Sequence, residues 1–289
     1  MPQLSLERLN TYRAQTFRTA PGLRITSREA AVEFVRQRGF VYFWPITGIV
    51  LPSLWVAVAG DRPVADEHDD PGHATWGWKD SLLGQRQWYY AKVLRKRATM
   101  IAFEAALYFY ALTENYGAPD EDYLTLYEQG RMPLETRTVY EVLLDKGPMD
   151  TVTLRKAARM TSRESNTRFE RALADLQADF KIVPVGVTQA GAWHYSFAYD
   201  VVHRVYPDLI EQARFIGELD ARQKLAELYF RSVGAAQVRE VVKLFGWRPA
   251  DAQQAIERLV MAGILRQGVE MANHGAAWIV LVELLDERE

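Results

Sequence analysis

The sequence contains no cysteine among its 289 residues. Disulfide bonds, thiolate nucleophiles and cysteine-ligated zinc are therefore excluded. No apolar run approaches the roughly 20 residues that a transmembrane helix needs, because the longest candidate, residues 46–59, is short and contains Pro52. The first 24 residues are polar and lack the apolar stretch of a secretory signal. These absences predict a soluble, cytoplasmic protein without a membrane partner.

Glycine loops that cradle phosphate are also missing, both the P-loop and the dinucleotide-binding type. Ser53 lacks the Gly-x-Ser-x-Gly frame that surrounds a hydrolase nucleophile. No cofactor is therefore expected. The chain has no excess of positive charge either, since its formal net charge is -2 and its pI is ≈ 6.3. Phosphate neutralisation supplies most non-specific affinity for nucleic acid, so the overall charge alone argues mildly against DNA binding.

The charges are segregated along the chain, however, and their distribution matters more than their sum. Residues 84–97 contain no acid, and they carry the cations Arg86, Lys92, Arg95, Lys96 and Arg97. Residues 154–171 are similarly basic and carry Arg155, Lys156, Arg159, Arg163, Arg168 and Arg171 against two glutamates. Acidic residues concentrate in 61–80 and 114–128.

Local patterns predict a mainly helical chain. Capping residues predict helices from Ser27 to Gly39 and from Ser53 to Gly60. Residues 61–80 have the composition of a polar, acidic loop. Residues 88–112 are rich in strong helix formers and predict one long helix.

Two later segments share the order helix, helix, helix, strand, turn, strand, which is typical of a winged helix. They predict winged helices over 134–206 and 207–289, after an N-terminal helical or winged-helix-like domain over 1–133. The predicted fold class is α+β, mainly α with small β wings.

Several short motifs precede these modules. Gly39-Phe40-Val41 is followed by Leu54-Trp55 and then by Trp88-Tyr89-Tyr90-Ala91-Lys92. This combination resembles the AlkZ/YcaQ family of bacterial DNA glycosylases. The resemblance implies tandem winged helices around a DNA-binding channel, and it implies excision or unhooking of alkylated bases.

The chain departs from the family at its catalytic positions. The family signature is Gln, a hydrophobic residue, then Asp or Gln, and the matching residues here are Tyr42, Phe43 and Trp44. A later family motif ends in His where this chain has Lys92. Hydrolysis of a glycosidic bond gains from a group that orients water and stabilises positive charge, which Phe43 and Trp44 cannot do. The sequence therefore predicts the fold without the family's chemistry.

Two groups of residues are candidates for DNA contact. One is the third helix of the first predicted module, where the polar residues lie off the apolar face; they are Arg163, Asn166, Arg168 and Arg171. The other is the run Lys92, Arg95, Lys96 and Arg97, preceded by aromatic residues and predicted to lie on the long helix. A solvated helix face is the alternative interpretation of both groups.

Two further clusters are open to different interpretations. His68, Asp70 and His73 could contribute to a metal site, but a solvated turn is the simpler interpretation and no metal site is predicted. An aromatic group could form either a stacking pocket for a base or a hydrophobic core, and comprises Tyr42, Phe43, Trp44, Trp55, Trp76 and Trp78. Trp76 and Trp78 are expected to be the more exposed.

The predicted function is binding of duplex DNA, intact or damaged, without glycosylase activity. One alternative is a glycosylase with a non-standard site, using Lys92, Asp80 or Glu104. Another is a protein-interaction module whose partner the sequence does not identify. DNA binding requires the basic segments 84–97 and 155–171 to face one channel, which distinguishes it from the protein-interaction alternative.

Overall fold

The computed structural model describes residues 3–64, 66–67, 70–115, 117–191, 193–271 and 274–285. Three segments share one order of elements, namely helix, strand, helix, helix, strand, strand. In each, the first strand pairs with the third, which also pairs with the second. We call them unit 1 (28–101), unit 2 (134–201) and unit 3 (218–281). The fold class is α+β, mainly helical with small sheets, as the sequence predicts.

Unit 1 follows a short strand, β1 (Gln3–Leu4), and a helix, α1 (Leu6–Thr16). Its elements are α2 (Arg28–Arg38), β2 (Phe40–Tyr42), α3 (Leu54–Ala59), α4 (Ala74–Ser81), β3 (Tyr89–Ala91) and β4 (Thr99–Ile101). Ser27 and Ser53 each accept a hydrogen bond from a first-turn N–H, and Gly39 and Gly60 end the same two helices. The capping pattern therefore predicted both helices correctly.

Two connecting helices lead to unit 2, namely α5 (Phe103–Tyr110) and α6 (Asp122–Glu128). Unit 2 comprises α7 (Leu134–Lys146), β5 (Met149–Asp150), α8 (Thr151–Ala157), α9 (Asn166–Ala178), β6 (Ile182–Thr188) and β7 (Ser196–Val201). Its third helix, α9, buries Phe169, Leu173 and Leu176 on one face, which is the face predicted from their spacing.

Unit 3 is reached through α10 (Val202–Val205) and α11 (Pro207–Ala213). Its elements are α12 (Glu218–Val233), β8 (Ala235–Ala236), α13 (Val238–Phe245), α14 (Pro249–Met261), β9 (Leu265–Met271) and β10 (His274–Leu281). Strand β1 adds to this sheet by pairing in parallel with β9. The Arg13 side chain of α1 donates to the carbonyls of Val233 and Ala235, both at 2.9 Å. The first residues of the chain therefore pack on its last unit.

The long helix predicted over residues 88–112 was wrong. The structure has β3, a short turn (Leu94–Lys96) and β4 there, and α5 begins only at Phe103. Strand β4 pairs on both sides, with β2 and with β3. This pairing outweighs the helix preference of the Ala, Leu, Lys and Arg residues in the segment.

The polar loop predicted over residues 61–80 was wrong in its last part. Helix α4 begins at Ala74, and it buries Thr75 and Lys79 at a spacing of one helical turn. Trp76 and Trp78, which we expected to be exposed, are half-buried against the core of unit 1.

Units 1 and 2 each contain a hydrophobic cluster, and a third cluster runs between units. This third cluster joins the buried face of unit 3 to α5 and α11, and it includes Tyr89 of unit 1 and Phe180 just after α9. The Tyr89 and Phe180 rings stack with their centroids 4.5 Å apart. The relative positions of the units are therefore fixed by shared apolar packing. Within the described ranges, no helix is both long enough and apolar enough to cross a bilayer.

Candidate nucleic-acid interface

The first position of the family motif, Tyr42, lies in an apolar environment. It is the last residue of β2 and is fully buried. Its hydroxyl has no hydrogen-bond partner among the described residues. Burial raises the pKa of Tyr42 to about 12, and the nearby positive charges of Arg95 and Arg97 oppose the rise. A neutral phenol in this setting is a poor general base at neutral pH.

The other two motif positions are part of an aromatic core. The Phe43 ring packs edge-on against Trp44 and Trp76, with centroids 4.7 and 5.7 Å away. Trp44 also lies against the Trp55 ring at 5.1 Å. These side chains therefore pack in the core, which agrees with the interpretation of the aromatic group as a hydrophobic core.

Lys92 lies between β3 and the turn Leu94–Lys96. Its main-chain N–H donates to the side-chain oxygen of Gln177 on α9, at 3.1 Å. Lys92 and Lys96 do not share a helix, so the prediction that this run lies on one long helix was wrong. The contact instead brings the hairpin turn of unit 1 onto the third helix of unit 2.

The two basic segments meet at one carboxylate. The Lys96 ammonium pairs with Asp175 of α9, and the Arg171 guanidinium lies 3.7 Å from the other oxygen of Asp175. Arg168, one turn earlier on α9, pairs with Glu135 at 2.9 Å. Cations that are far apart in sequence are therefore side by side, although two acids neutralise part of their charge.

Other predicted cations remain available to solvent. Arg95, Arg97, Arg163 and the amide of Asn166 are exposed. None of the three arginines has an ion-pair partner in the part of the chain that the structure describes. Arg95 and Lys96 both have φ of +55°, which costs a non-glycine residue on the order of 1 kcal/mol. The turn is thus held in a strained conformation that presents its cations outward.

Lys79 on α4 was not identified from the sequence, and it is completely buried. Its ammonium contacts the Asp80 carboxylate at 2.7 Å and donates to the Tyr195 hydroxyl at 2.8 Å. It also lies within cation–π distance of five aromatic rings, those of Phe43, Trp76, Tyr90, Tyr195 and Phe197. Burial lowers the pKa of Lys79, and Asp80 opposes that change. The only sequence feature that could have indicated this contact is the position of Lys79 three residues after Trp76, a spacing that places both side chains on one face of a helix.

Units 1 and 2 thereby cover each other's third helix. The hairpin of unit 2 places Tyr195 and Phe197 on Lys79 of α4. The hairpin turn of unit 1 places Lys92 and Lys96 on the C-terminal half of α9. The arrangement is reciprocal, and it leaves the N-terminal half of α9, with Arg168 and Arg171, open to solvent. Arg163, which was predicted to lie on this helix, is exposed in the segment just before it.

The family model described as AlkZ related matches residues 25–246. The chain belongs to the AlkZ-related family. A similar solved structure is that of the Streptomyces sahachiroi DNA glycosylase AlkZ, with a TM-score of 0.62 and 13% sequence identity. The likeness covers 97% of this chain and 71% of that chain, and at this identity it shows a shared fold. No curated protein matches the chain.

In this AlkZ-related chain, the described residues of the candidate metal site contact protein groups. Both Asp70 carboxylate oxygens accept hydrogen bonds from Arg62 at 2.7 Å, and one also accepts from the Gly72 N–H. The His73 ring packs near Trp55, at 5.4 Å between centroids. His68 lies outside the described residues. Among the residues that are described, no group of three metal-ligating side chains converges.

Proposed function

We propose that the chain is a tandem winged-helix protein that binds duplex DNA, intact or damaged, and that it lacks the glycosylase reaction at the family's motif positions. The shared element order of the three units and their strand pairing support the winged-helix assignment. Relationship to a DNA glycosylase supports DNA as the partner.

The observation that carries the DNA assignment is the meeting of Lys96 and Arg171 at Asp175. Two basic segments that the sequence separates by more than 50 residues form one surface there. This surface comprises the turn Leu94–Lys96, the adjoining Arg97 and the N-terminal half of α9. We call it the basic surface. Exposed guanidinium groups without a protein carboxylate partner are suited to phosphate contact.

The reciprocal packing of units 1 and 2 determines the expected mode of binding. A winged helix usually reads bases by placing its third helix in the major groove, but here α4 is covered and α9 is half covered. Contacts from the basic surface would therefore fall mainly on the phosphate backbone. Such contacts fix position without reading sequence, so binding is expected to be salt-sensitive and tolerant of sequence.

Neutralising two free cations of the basic surface tests the proposal. The double variant R95A/R97A is expected to weaken binding to a 20-base-pair duplex at low salt by at least tenfold. Each lost phosphate contact should also reduce the slope of log K against log salt by about 0.9. Fluorescence anisotropy over a salt series measures both quantities.

Arg86→Ala provides the matched control, because Arg86 comes from the same basic segment but pairs with Asp208 at 2.8 Å. It is expected to leave affinity and salt slope near those of the unchanged protein. Equal losses in R86A and R95A/R97A would contradict a defined basic surface. Undetectable binding at low salt would remove the proposed function.

The proposed loss of chemistry has its own test. Incubated with duplexes that contain alkylated bases, the protein is expected to release none above the spontaneous rate, because positions 42–44 offer no group to orient water. Chromatography of released bases is the measurement. Release that disappears in K92A would instead support an enzyme with a non-standard site.

A further inference from the structure

A cavity of about 420 Å³ lies where the three units meet. Its wall includes Arg95 from the turn of unit 1, Lys181 just after α9, and Arg222 and Trp247 from unit 3. None of the four family-motif positions lines it. The wall of this junction cavity is therefore built from residues other than the family-motif positions, and its volume is in the usual range for a small-molecule site.

Lys181 is the first indication of what the cavity binds. Its side chain is 2% exposed, and its ammonium donates to the side-chain oxygen of Asn115 at 2.5 Å. Within the described ranges Lys181 forms no ion pair; Asp179, Asp122 and Glu114 influence it only from longer range. A buried ammonium normally requires a paired anion, because desolvation of an uncompensated charge is costly. Burial accordingly lowers the pKa of Lys181.

Arg222 is the second indication. Its terminal nitrogen pairs with Glu218 at 2.6 Å and lies 3.7 Å from Asp251, but its Nε is buried and has no hydrogen-bond partner among the described residues. Arg95 and Arg131 add two more cations to the wall, against the acids Glu114 and Asp179. Arg131 pairs with Glu114, and Arg222 pairs with two carboxylates. Arg95 and Lys181 are the cations of the wall that form no ion pair among the described residues, so an anionic group in the cavity would supply their missing partner.

Aromatic rings form another part of the wall. Trp247 is half-buried and stacks on Phe245, with centroids 4.2 Å apart and planes at 10°. Phe109 and Phe180 also line the cavity, nearly parallel to each other at 17°. Flat apolar rings next to guanidinium groups suit a planar heteroaromatic ring such as a nucleic-acid base. Any of the bases can stack on such rings.

We propose that the junction cavity binds a nucleotide, with the base against the Trp247 side of the wall and the phosphate at the buried cations, Lys181 foremost. The nucleotide could come from solution or from a DNA strand out of which it has been extruded. The second source rests on the proposed function, whereas the first does not. A purely anionic ligand would leave the aromatic wall unexplained, and a purely apolar ligand would leave Lys181 without its counter-charge.

Isothermal titration of the full chain tests the free-nucleotide source. Deoxyadenosine monophosphate is expected to bind, while deoxyadenosine and inorganic phosphate each bind at least tenfold more weakly. Lys181→Met and Trp247→Leu should each weaken binding of the monophosphate by at least tenfold, and far-ultraviolet circular dichroism checks that both variants are folded. Lys224→Met is the matched control, since Lys224 lies on the surface of α12 and pairs with Glu227.

A duplex with one unpaired nucleotide, compared with a fully paired duplex of equal length, tests the DNA source. The unpaired nucleotide should raise affinity severalfold, and this preference should disappear in K181M and W247L while affinity for the paired duplex remains. Preference for the unpaired nucleotide without binding of free monophosphate assigns the source to DNA. Monophosphate binding without any DNA binding would remove the proposed function but leave the nucleotide site standing.

Three results would overturn the nucleotide site. One is the absence of both monophosphate binding and preference for the unpaired nucleotide. Another is inorganic phosphate binding as tightly as the monophosphate, which would indicate a simple anion site. The third is unchanged binding in both K181M and W247L, which would place any nucleotide elsewhere on the protein.

Discussion

Replacing Lys79 with alanine is expected to lower the free energy of unfolding by about 3–5 kcal/mol. The ammonium of this fully buried residue is enclosed by aromatic rings and paired with Asp80. Truncation removes the cation–π contacts and opens a cavity in the aromatic core. Among the described residues it leaves the Tyr195 hydroxyl, at 3.0 Å, as the side-chain partner of the Asp80 carboxylate. Urea denaturation followed by circular dichroism measures the change.

Lys224→Ala is the matched control for this prediction. Lys224 also forms an ion pair, at 3.1 Å with Glu227, but its side chain is 40% exposed. Surface pairs contribute about 0–1 kcal/mol, so this variant should be nearly as stable as the unchanged protein. Lys79→Met, which keeps most of the volume and loses the charge, should fall between the two. A loss below about 1 kcal/mol in Lys79→Ala would mean that Lys79 does not join units 1 and 2 as described.

Short-range signals predicted several elements of the fold. Ser27 and Ser53 mark helix starts because a hydroxyl can satisfy a free N–H of the first turn, and both do so. The opening of α14 at Pro249 follows from the same local logic, since proline suits the first turn of a helix. Each of these helix-start signals involves residues that are within four positions of one another in the sequence.

The mistaken helix over residues 88–112 has the opposite origin. Strand β4 exists because it pairs with β2, and Phe40 and Ile101 are partners about 60 residues apart. No local pattern contains that pairing, and the helix-forming residues of the segment gave a contrary signal. Strand preference depends more on neighbouring strands than on the sequence of the strand itself.

The candidate site likewise has residues that local sequence predicts and contacts that it does not predict. Arg95, Arg97 and Arg163 could be proposed from sequence because runs of cations are visible in it. The pairing of Lys96 with Asp175, and the enclosure of Lys79 by the hairpin of unit 2, depend on how the units pack on each other. Lys181 gave no sequence signal because its buried environment comes from residues distant in the chain, such as Asn115.

Raising the pH from 10 to 12 is expected to destabilise the protein sharply, because buried tyrosines, Tyr42 and Tyr206 among them, must lose protons on unfolding. Burial raises the pKa of Tyr42 and of Tyr206 from 10.0 to about 12. The folded chain therefore binds more protons than the unfolded chain in this range. Their contribution is fully present below pH 10 and is lost as the pH rises through about 12, at about 2.7 kcal/mol for each tyrosine. Against a typical total of about 5–15 kcal/mol, the effect is large.

Tyr42→Phe separates the contribution of one tyrosine. At pH 7 this variant should be as stable as the unchanged protein or slightly more stable, because the hydroxyl it removes is buried without a partner among the described residues. At pH 11.5 its advantage should grow by about 2 kcal/mol, since phenylalanine has no proton to lose. Trp44→Phe, a neighbouring aromatic change that removes no titrating group, should show the same pH dependence as the unchanged protein, whatever stability it loses at pH 7. Urea denaturation between pH 7 and 11.5 supplies the comparison. Parallel curves for Tyr42→Phe and the unchanged protein would mean that the Tyr42 phenol reaches water in the folded state, and that this family-motif position is open to solvent.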